Sequence, residues 1–359
     1  MADSYFVDPA ELAWQDETPF SETYQDIYWS SHADSPLSEK QAVFVDPVQT
    51  MARQCKPGST ITVCELGFGF GINCLLTADM WRDLSPDCRL NFISIEKHPV
   101  RKQDLAQLLS KFEFSSQESL LAQYPPHYRG QHVIWLSSNV RLLLIFDDID
   151  DALGNLDAEV DLWFLDGFAP SKNEAMWQPA IYRKMFSRSR HGAEVATYSA
   201  AGAVKRGLEY AGFTTRKIDG FGRKNEMLSA KRPGNWQPTQ SPRDSITILG
   251  AGLAGIFCAE ALTRRGIDFQ ILDGGNPGPS TIPQLAVMPQ LALASEPRYR
   301  FSFAACHYMQ SAPGYYKTGV HRWGQDDEEI LRLQQIAAQF PDEIIEFLDN
   351  RMVMHEAGW

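Results

Sequence analysis

Five short apolar runs alternate with stretches of helical periodicity: ITVCEL (61–66), LNFISI (90–95), VRLLLIF (140–146), VDLWFL (160–165) and EVATYS (194–199). Helices are predicted beside them at 72–81, 100–109, 175–187 and 201–211. Runs this continuous suit strands covered on both faces, and strands joined through helices lie parallel. The expectation is an α/β, doubly wound domain. Its end breaks the alternation: FTTRKID and NEMLSAK flank GFGRK, which reads as a hairpin and adds antiparallel strands. PGNWQPTQSPRDS (233–245) carries three prolines and no apolar periodicity, so it reads as a linker. The alternation then restarts with SITIL (245–249), a helix over 253–265 and DFQILD (268–273). The expected division is a first domain over 1–232, a linker over 233–244 and a second, Rossmann-like domain over 245–359.

A chain of 359 residues is too long for one comfortable core, which agrees with two domains. No stretch approaches the roughly 20 apolar residues of a membrane span, and MADSYFVDPAELAW lacks the layout of a secretory signal. The six cysteines are scattered without a C-x-x-C pair, so neither a metal site nor a disulfide framework is expected, and the reading is cytoplasmic. Net charge is −12, which alone argues against a nucleic-acid partner. The distribution argues otherwise: residues 1–180 hold 12 Lys and Arg against 27 Asp and Glu, whereas 181–245 hold 13 against 5. A local positive field on an acidic protein can hold a phosphate backbone, and it can equally be a solvated face.

Two glycine loops follow strands. The first, C64-E-L-G-F-G-F-G-I-N73, places Gly67, Gly69 and Gly71 at alternate positions between Glu65 and Asn73, then opens a helix. Glu96 ends the next strand, 29 residues beyond Gly67, where doubly wound folds put an acid on ribose hydroxyls. A dinucleotide and S-adenosylmethionine are both open. The missing G-x-G-x-x-G phosphate fingerprint and the closing hairpin favour the methyl donor. Asp148 ends the third strand and could reach an adenine amino group, although an acid in DDIDD is also a natural helix start. The second loop, I248-L-G-A-G-L-A-G255, does carry G-x-G-x-x-G, through Gly250, Gly252 and Gly255, and Asp273 ends the following strand 23 residues after Gly250. This combination marks a dinucleotide site for FAD or NAD.

DLWFLDGFAP (161–170) runs a buried strand into Asp166, and a carboxylate there is costly unless a charged or hydrogen-bonding group meets it. With these residues placed, the chain resembles the bifunctional tRNA 5-methylaminomethyl-2-thiouridine biosynthesis family, the MnmC family. The resemblance is strongest in TPFSETYQDIYWS (18–30), ELGFGFGIN (65–73), DGFAPSKNEAMW (166–177) and GFGRKNEML (220–228). It implies an N-terminal domain that methylates an aminomethyl group on the tRNA wobble uridine from S-adenosylmethionine. It also implies a C-terminal FAD domain that first removes a carboxymethyl group oxidatively to expose that amine. Asp166 would then orient the substrate ammonium, take its proton and stabilise charge at the reacting nitrogen. Glu65, Gly67, Gly69, Gly71, Asn73, Glu96 and Asp148 would hold the donor, and Gly250, Gly252, Gly255 and Asp273 the flavin. Phe168, Trp177 and Tyr198 could offer aromatic faces to sulfonium or uracil, and Lys172, Arg223 and Lys224 could meet tRNA phosphates. The stretch GGNPGPSTIPQLAVMP departs from the family's loop near the flavin, and only 104 residues follow Gly255. The expectation is therefore an incomplete FAD domain without oxidase activity, in a monomer with tRNA as partner. Rival readings are a methyltransferase for a small amine, a non-catalytic tRNA-binding remnant and a free flavoenzyme.

Overall fold

The computed structural model describes residues 4–15, 18–28, 36–84, 87–220, 226–240, 246–275, 278–282, 284–342, 344–348 and 352. They form two compact units, one of 7–127 with 131–283 and a smaller one of 1–6, 128–130 and 284–359.

The larger unit is built on a nine-stranded sheet. Its strands are β1 (Ser59–Leu66), β2 (Arg89–Glu96), β3 (Gly130–Trp135), β4 (Val140–Phe146), β5 (Val160–Leu165), β6 (Ser189–Thr197), β7 (Thr214–Asp219), β8 (Glu226–Lys231) and β9 (Thr239–Gln240). The spatial order is β7-β8-β6-β5-β1-β2-β4-β3, with β9 paired antiparallel to β1. Strands β6, β5, β1, β2 and β4 run parallel, and the β7–β8 hairpin adds antiparallel strands at one edge. This is the doubly wound sheet with a closing hairpin that the apolar runs predict. All six residues of β5 are buried, which is why this strand reads as apolar throughout except at Asp161. The GFGRK turn itself falls on 221–225, outside the described residues. Helices Ile72–Leu84, Ile149–Asn155 and Pro179–Arg188 help cover the faces. Two apolar clusters result, one around Trp81, Phe92 and Phe164 and the other around Trp163, Tyr182 and Met185.

The chain order reverses between β1 and β5, which puts the topological switch point at their carboxyl ends. At the opposite end of β5, Asp161 is fully buried. Its carboxylate accepts Thr62 N at 2.8 Å and Trp236 Nε1 at 2.9 Å, and Arg190 pairs with it at 3.1 Å. Trp236 belongs to the stretch read as a linker. Together with the pairing of Thr239 and Gln240 on Thr60 and Ser59, it fastens 236–240 along the sheet.

Sequence reading missed several elements. Strand β3, GQHVIW, mixes polar and apolar residues as an edge strand does. The N-terminal segment forms its own small sheet from Leu12–Gln15, Thr18–Ser21 and Asp26–Ile27. A π-helical turn, Gln41–Val45, joins the short helix Pro36–Lys40 to the helix Asp46–Ala52. The strand read as 194–199 begins earlier, at Ser189, and ends at Thr197.

Strands Ile246–Leu249 and Phe269–Leu272 pair in parallel, and helix Leu253–Arg264 connects them. In the smaller unit, Tyr5, Tyr128, Phe303 and Phe340 form an aromatic cluster, and the Tyr5 hydroxyl meets the carbonyls of Ala292 and Ala294.

Candidate active site

A cleft of about 320 Å³ opens at the switch point. Its floor is the glycine loop after β1. Gly67, Gly69 and Gly71 all have positive φ, at 99°, 52° and 69°, a region that side-chain-bearing residues rarely occupy. A Cβ on Gly67 would lie 3.2 Å from the Asp166 carbonyl, so glycine lets the loop press against the end of β5. Gly67 and Gly69 line the cleft, whereas Gly71 shapes the turn from outside the lining.

Glu96 closes the loop from β2. Its carboxylate accepts Gly69 N and His98 N, each at 2.9 Å, and burial raises its pKa against those hydrogen bonds. Asp148 lines the cleft and does two things at once. It caps helix Ile149–Asn155 through Asp150 N, as the acidic helix start suggests, and it pairs with Lys97 at 3.0 Å.

Asp166 follows β5 directly. What meets it is Lys40, whose Nζ lies 2.5 Å from Oδ2, and Asn73, whose Nδ2 donates to the same oxygen at 2.6 Å. The Asn73 amide also donates to Glu65 Oε1 at 2.8 Å, so one NH₂ group bridges two carboxylates. Its Oδ1 is buried and has no partner among the described residues. Glu65 lies behind the cleft, 1% exposed, with Ser94 Oγ donating to its other oxygen at 2.7 Å. Burial is the main cause that pushes its pKa up to about 8, and the nearby Asp166 adds to it, while Ser94, Asn73 and Lys40 pull it down.

Both Glu65 oxygens accept hydrogen bonds, while burial favours its neutral form. Because its folded pKa lies above the unfolded value, its contribution to stability is complete below about pH 4.5 and is lost as pH rises through about 8. Glu65→Gln is expected to flatten this part of the stability curve, which melting temperatures taken between pH 5 and pH 9 (about the span of the shift) would show.

Aromatic rings form the wall. Tyr24 stacks on Phe168 with centroids 4.7 Å apart, and Tyr28 meets Phe168 and Phe70 edge-on. Burial raises the pKa of Tyr24 to about 12, that of Tyr28 rises further, and both rings line the cleft. Tyr198 lines it too, and its hydroxyl donates to the Gly167 carbonyl, holding the turn after Asp166.

The structure thus gathers Gly67, Gly69, Asn73, Glu96, Asp148, Asp166, Phe168 and Tyr198 in one cleft. Trp177 stands apart from the lining: it is buried in the core, and its Nε1 donates to the Phe168 carbonyl, so it supports the wall from behind. Lys172 is exposed and outside the lining. Arg223 and Lys224 lie outside the described residues. In the basic segment, Lys184, Lys205, Lys217 and Lys231 pair with Asp150, Glu209, Glu226 and Glu194, and Arg232 stacks on Phe186. Arg183, Arg206 and Arg216 are exposed. Lys40, Tyr24 and Tyr28 were missed as individual site residues. The family-like stretch 18–30 contains both tyrosines, while nothing local to Lys40 marks it.

Six carboxylates line the cleft (Asp26, Glu39, Glu96, Asp147, Asp148 and Asp166) against two lysines, Lys40 and Lys97. Such a lining suits a cationic ligand and repels the phosphates of a dinucleotide. In the second loop, Gly250 has φ 98°, and a Cβ on Gly255 would lie 2.0 Å from the Gly250 carbonyl oxygen. Gly252 caps the helix Leu253–Arg264. Asp273 accepts Ala251 N at 2.6 Å and Gly275 N at 2.8 Å, and these two hydrogen bonds lower its pKa. Among the described residues no group of three His, Cys, Asp or Glu could hold a metal, and no helix is long and apolar enough to cross a membrane.

Residues 112–233 match the model of a family described as S-adenosyl-L-methionine-dependent methyltransferase. The solved structure of MNMC2 from Aquifex aeolicus superposes with a TM-score of 0.50 at 21% identity, over 65% of this chain and 73% of that one, which shows a shared fold. The tRNA 5-methylaminomethyl-2-thiouridine biosynthesis bifunctional protein MnmC of Maricaulis maris is 35% identical over 99% of this chain and 62% of its own length. The protein of that name from Chromohalobacter salexigens is 35% identical over 98% of this chain and 54% of its own length. The chain thus spans between half and two thirds of these curated relatives. With a methyltransferase fold, the chain is thus similar along nearly all of its length to part of the MnmC bifunctional proteins of tRNA 5-methylaminomethyl-2-thiouridine biosynthesis.

Proposed function

We propose that this protein transfers a methyl group from S-adenosylmethionine to the primary amine of 5-aminomethyl-2-thiouridine at a tRNA wobble position. The observation that carries the reading is the seat at Asp166: a carboxylate at the switch point, beside a glycine cradle, in an acidic and aromatic cleft. The donor fits the residues present. Glu96 would take its ribose hydroxyls, Asp148 its adenine amino group, and the loop of Gly67, Gly69 and Gly71 its close approach, with Glu65 and Asn73 bracing that loop from behind. When bound, it supplies an electrophilic methyl carbon. Asp166 would draw the acceptor's ammonium to its carboxylate, take one proton, and leave the nitrogen lone pair free to react. Asn73 fixes that carboxylate by hydrogen bond, and fixed geometry is a large part of rate enhancement in a two-reactant step. Phe168 and Tyr198 would face the base or the sulfonium.

This reading assigns 1–232 to the methyltransferase domain, 233–244 to the link and 245–359 to the first portion of an FAD oxidoreductase domain. In that portion Gly250, Gly252, Gly255 and Asp273 would hold the adenosine end of FAD, and the close approach at Gly255 suits such a loop. The reading also places the protein in the cytoplasm, as a monomer with tRNA as its partner. Lys172, Arg223 and Lys224 are assigned to phosphate contacts, together with the exposed arginines of the basic segment.

A second reading is favoured by one observation. Because six carboxylates against two lysines line the cleft, its lining suits a small ammonium and repels a phosphate backbone. The acceptor would then be a small amine. Transfer of labelled methyl to tRNA carrying 5-aminomethyl-2-thiouridine separates the two. Label in tRNA that falls steeply with added salt is expected. Salt-insensitive label in a small primary amine, with none in tRNA, would replace the acceptor.

A further inference from the structure

The cleft contains a primary amine of its own. Lys40 Nζ sits 2.5 Å from Asp166 Oδ2, and the two side chains are only 14% and 15% exposed. Both residues line the cleft beside Gly67 and Asn73. The other lysine in the lining, Lys97, is engaged elsewhere: its side chain is 50% exposed and pairs with Asp148. An alkylammonium on Asp166 is also the group that the proposed acceptor must bring to the same oxygen. The ammonium of Lys40 therefore holds the seat that the tRNA amine needs, hydrogen-bonded to the carboxylate assigned as proton acceptor.

We infer that Lys40 is an internal methyl acceptor, a protein-borne methylation site used when no tRNA amine displaces it from Asp166. The inference rests on the proposed methyltransferase function. Asp166 takes one proton from the Lys40 ammonium. The Nζ lone pair then forms a bond to the methyl carbon of S-adenosylmethionine while the carbon–sulfur bond breaks, its electron pair remaining on sulfur. S-adenosylhomocysteine leaves neutral, the methylated Nζ takes on the positive charge that the sulfonium gave up, and the proton passes from Asp166 to solvent.

Two measurements on the full chain test this. The first is incubation with methyl-labelled S-adenosylmethionine without tRNA, followed by intact mass and peptide mapping. The expected result is gain of one methyl at Lys40, absent from Asp166→Asn and Lys40→Arg, and suppressed by tRNA bearing the aminomethyl group. The second needs no donor: acylation of Lys40 by an amine-reactive ester is expected to be several-fold slower in the wild type than in Asp166→Asn. An unmethylated Lys40 in a preparation that methylates tRNA would overturn the inference and leave the function standing. So would label spread over exposed lysines, or a Lys40 that acylates as fast as they do. A preparation that binds the donor yet labels neither tRNA nor Lys40 overturns both.

Discussion

Asp166→Ala is expected to lower methyl transfer to tRNA by about 10²–10⁴-fold, the range a positioned general acid or base contributes. Donor binding should be retained, because Glu96 holds Gly69 without Asp166 and Asn73 keeps its hydrogen bond to Glu65. The alanine removes the one acceptor shared by Lys40 and Asn73, so Lys40 loses that partner while Asn73 keeps its hydrogen bond to Glu65. Asp166→Asn keeps the shape and loses the negative charge, and it should resemble alanine in rate. A variant that transfers methyl at the wild-type rate would remove Asp166 from the chemistry. Single-turnover rates with saturating donor, read beside donor affinity from calorimetry, separate chemistry from binding.

The second large effect is expected at Glu96. Its carboxylate organises the loop through Gly69 N and is assigned to the donor's ribose. Hydrogen bonds to a charged group contribute about 1.5–3 kcal/mol, so Glu96→Ala should weaken S-adenosylmethionine binding roughly 10- to 100-fold. Glu96→Gln keeps an acceptor oxygen and should lose less. Calorimetric titration without tRNA reads this directly, and an unchanged affinity would show that the donor lies elsewhere in the cleft.

What could be read from the sequence was whatever is local in the chain or fixed in its spacing. Strands β1, β2, β4 and β5 are continuous apolar runs because both of their faces are covered. Glu96 and Asp166 could be placed because a doubly wound sheet sends its strand ends to one crevice. What could not be read depends on meetings between distant residues. Lys40 reaches Asp166 across 126 positions, and Trp236 reaches Asp161 across 75. Neither pair has a local signature: a lysine after PLSE and a tryptophan between prolines read as ordinary surface. In the basic segment, too, Lys184 pairs with Asp150 and Lys231 with Glu194, meetings between elements that a charge count does not reveal. Trp177 shows the reverse error, since an aromatic in a family-like motif reads as a contact when its ring fills the core beneath Phe168.

The π-helical turn Gln41–Val45 carries a consequence for how this site can change over time. A π turn holds one residue more than an α-helical turn, and such insertions recur at functional sites. Deleting one residue there would restore an ordinary helix running into Asp46–Ala52. Everything before the deletion would then rotate by about 100° around the helix axis. Lys40, immediately before the turn, would swing away from Asp166, while the sheet, the glycine loop and Glu96 would stay in place. Occupancy of the Asp166 carboxylate by the protein's own amine is thus separable from the fold, and the loss of a single codon is expected to end it.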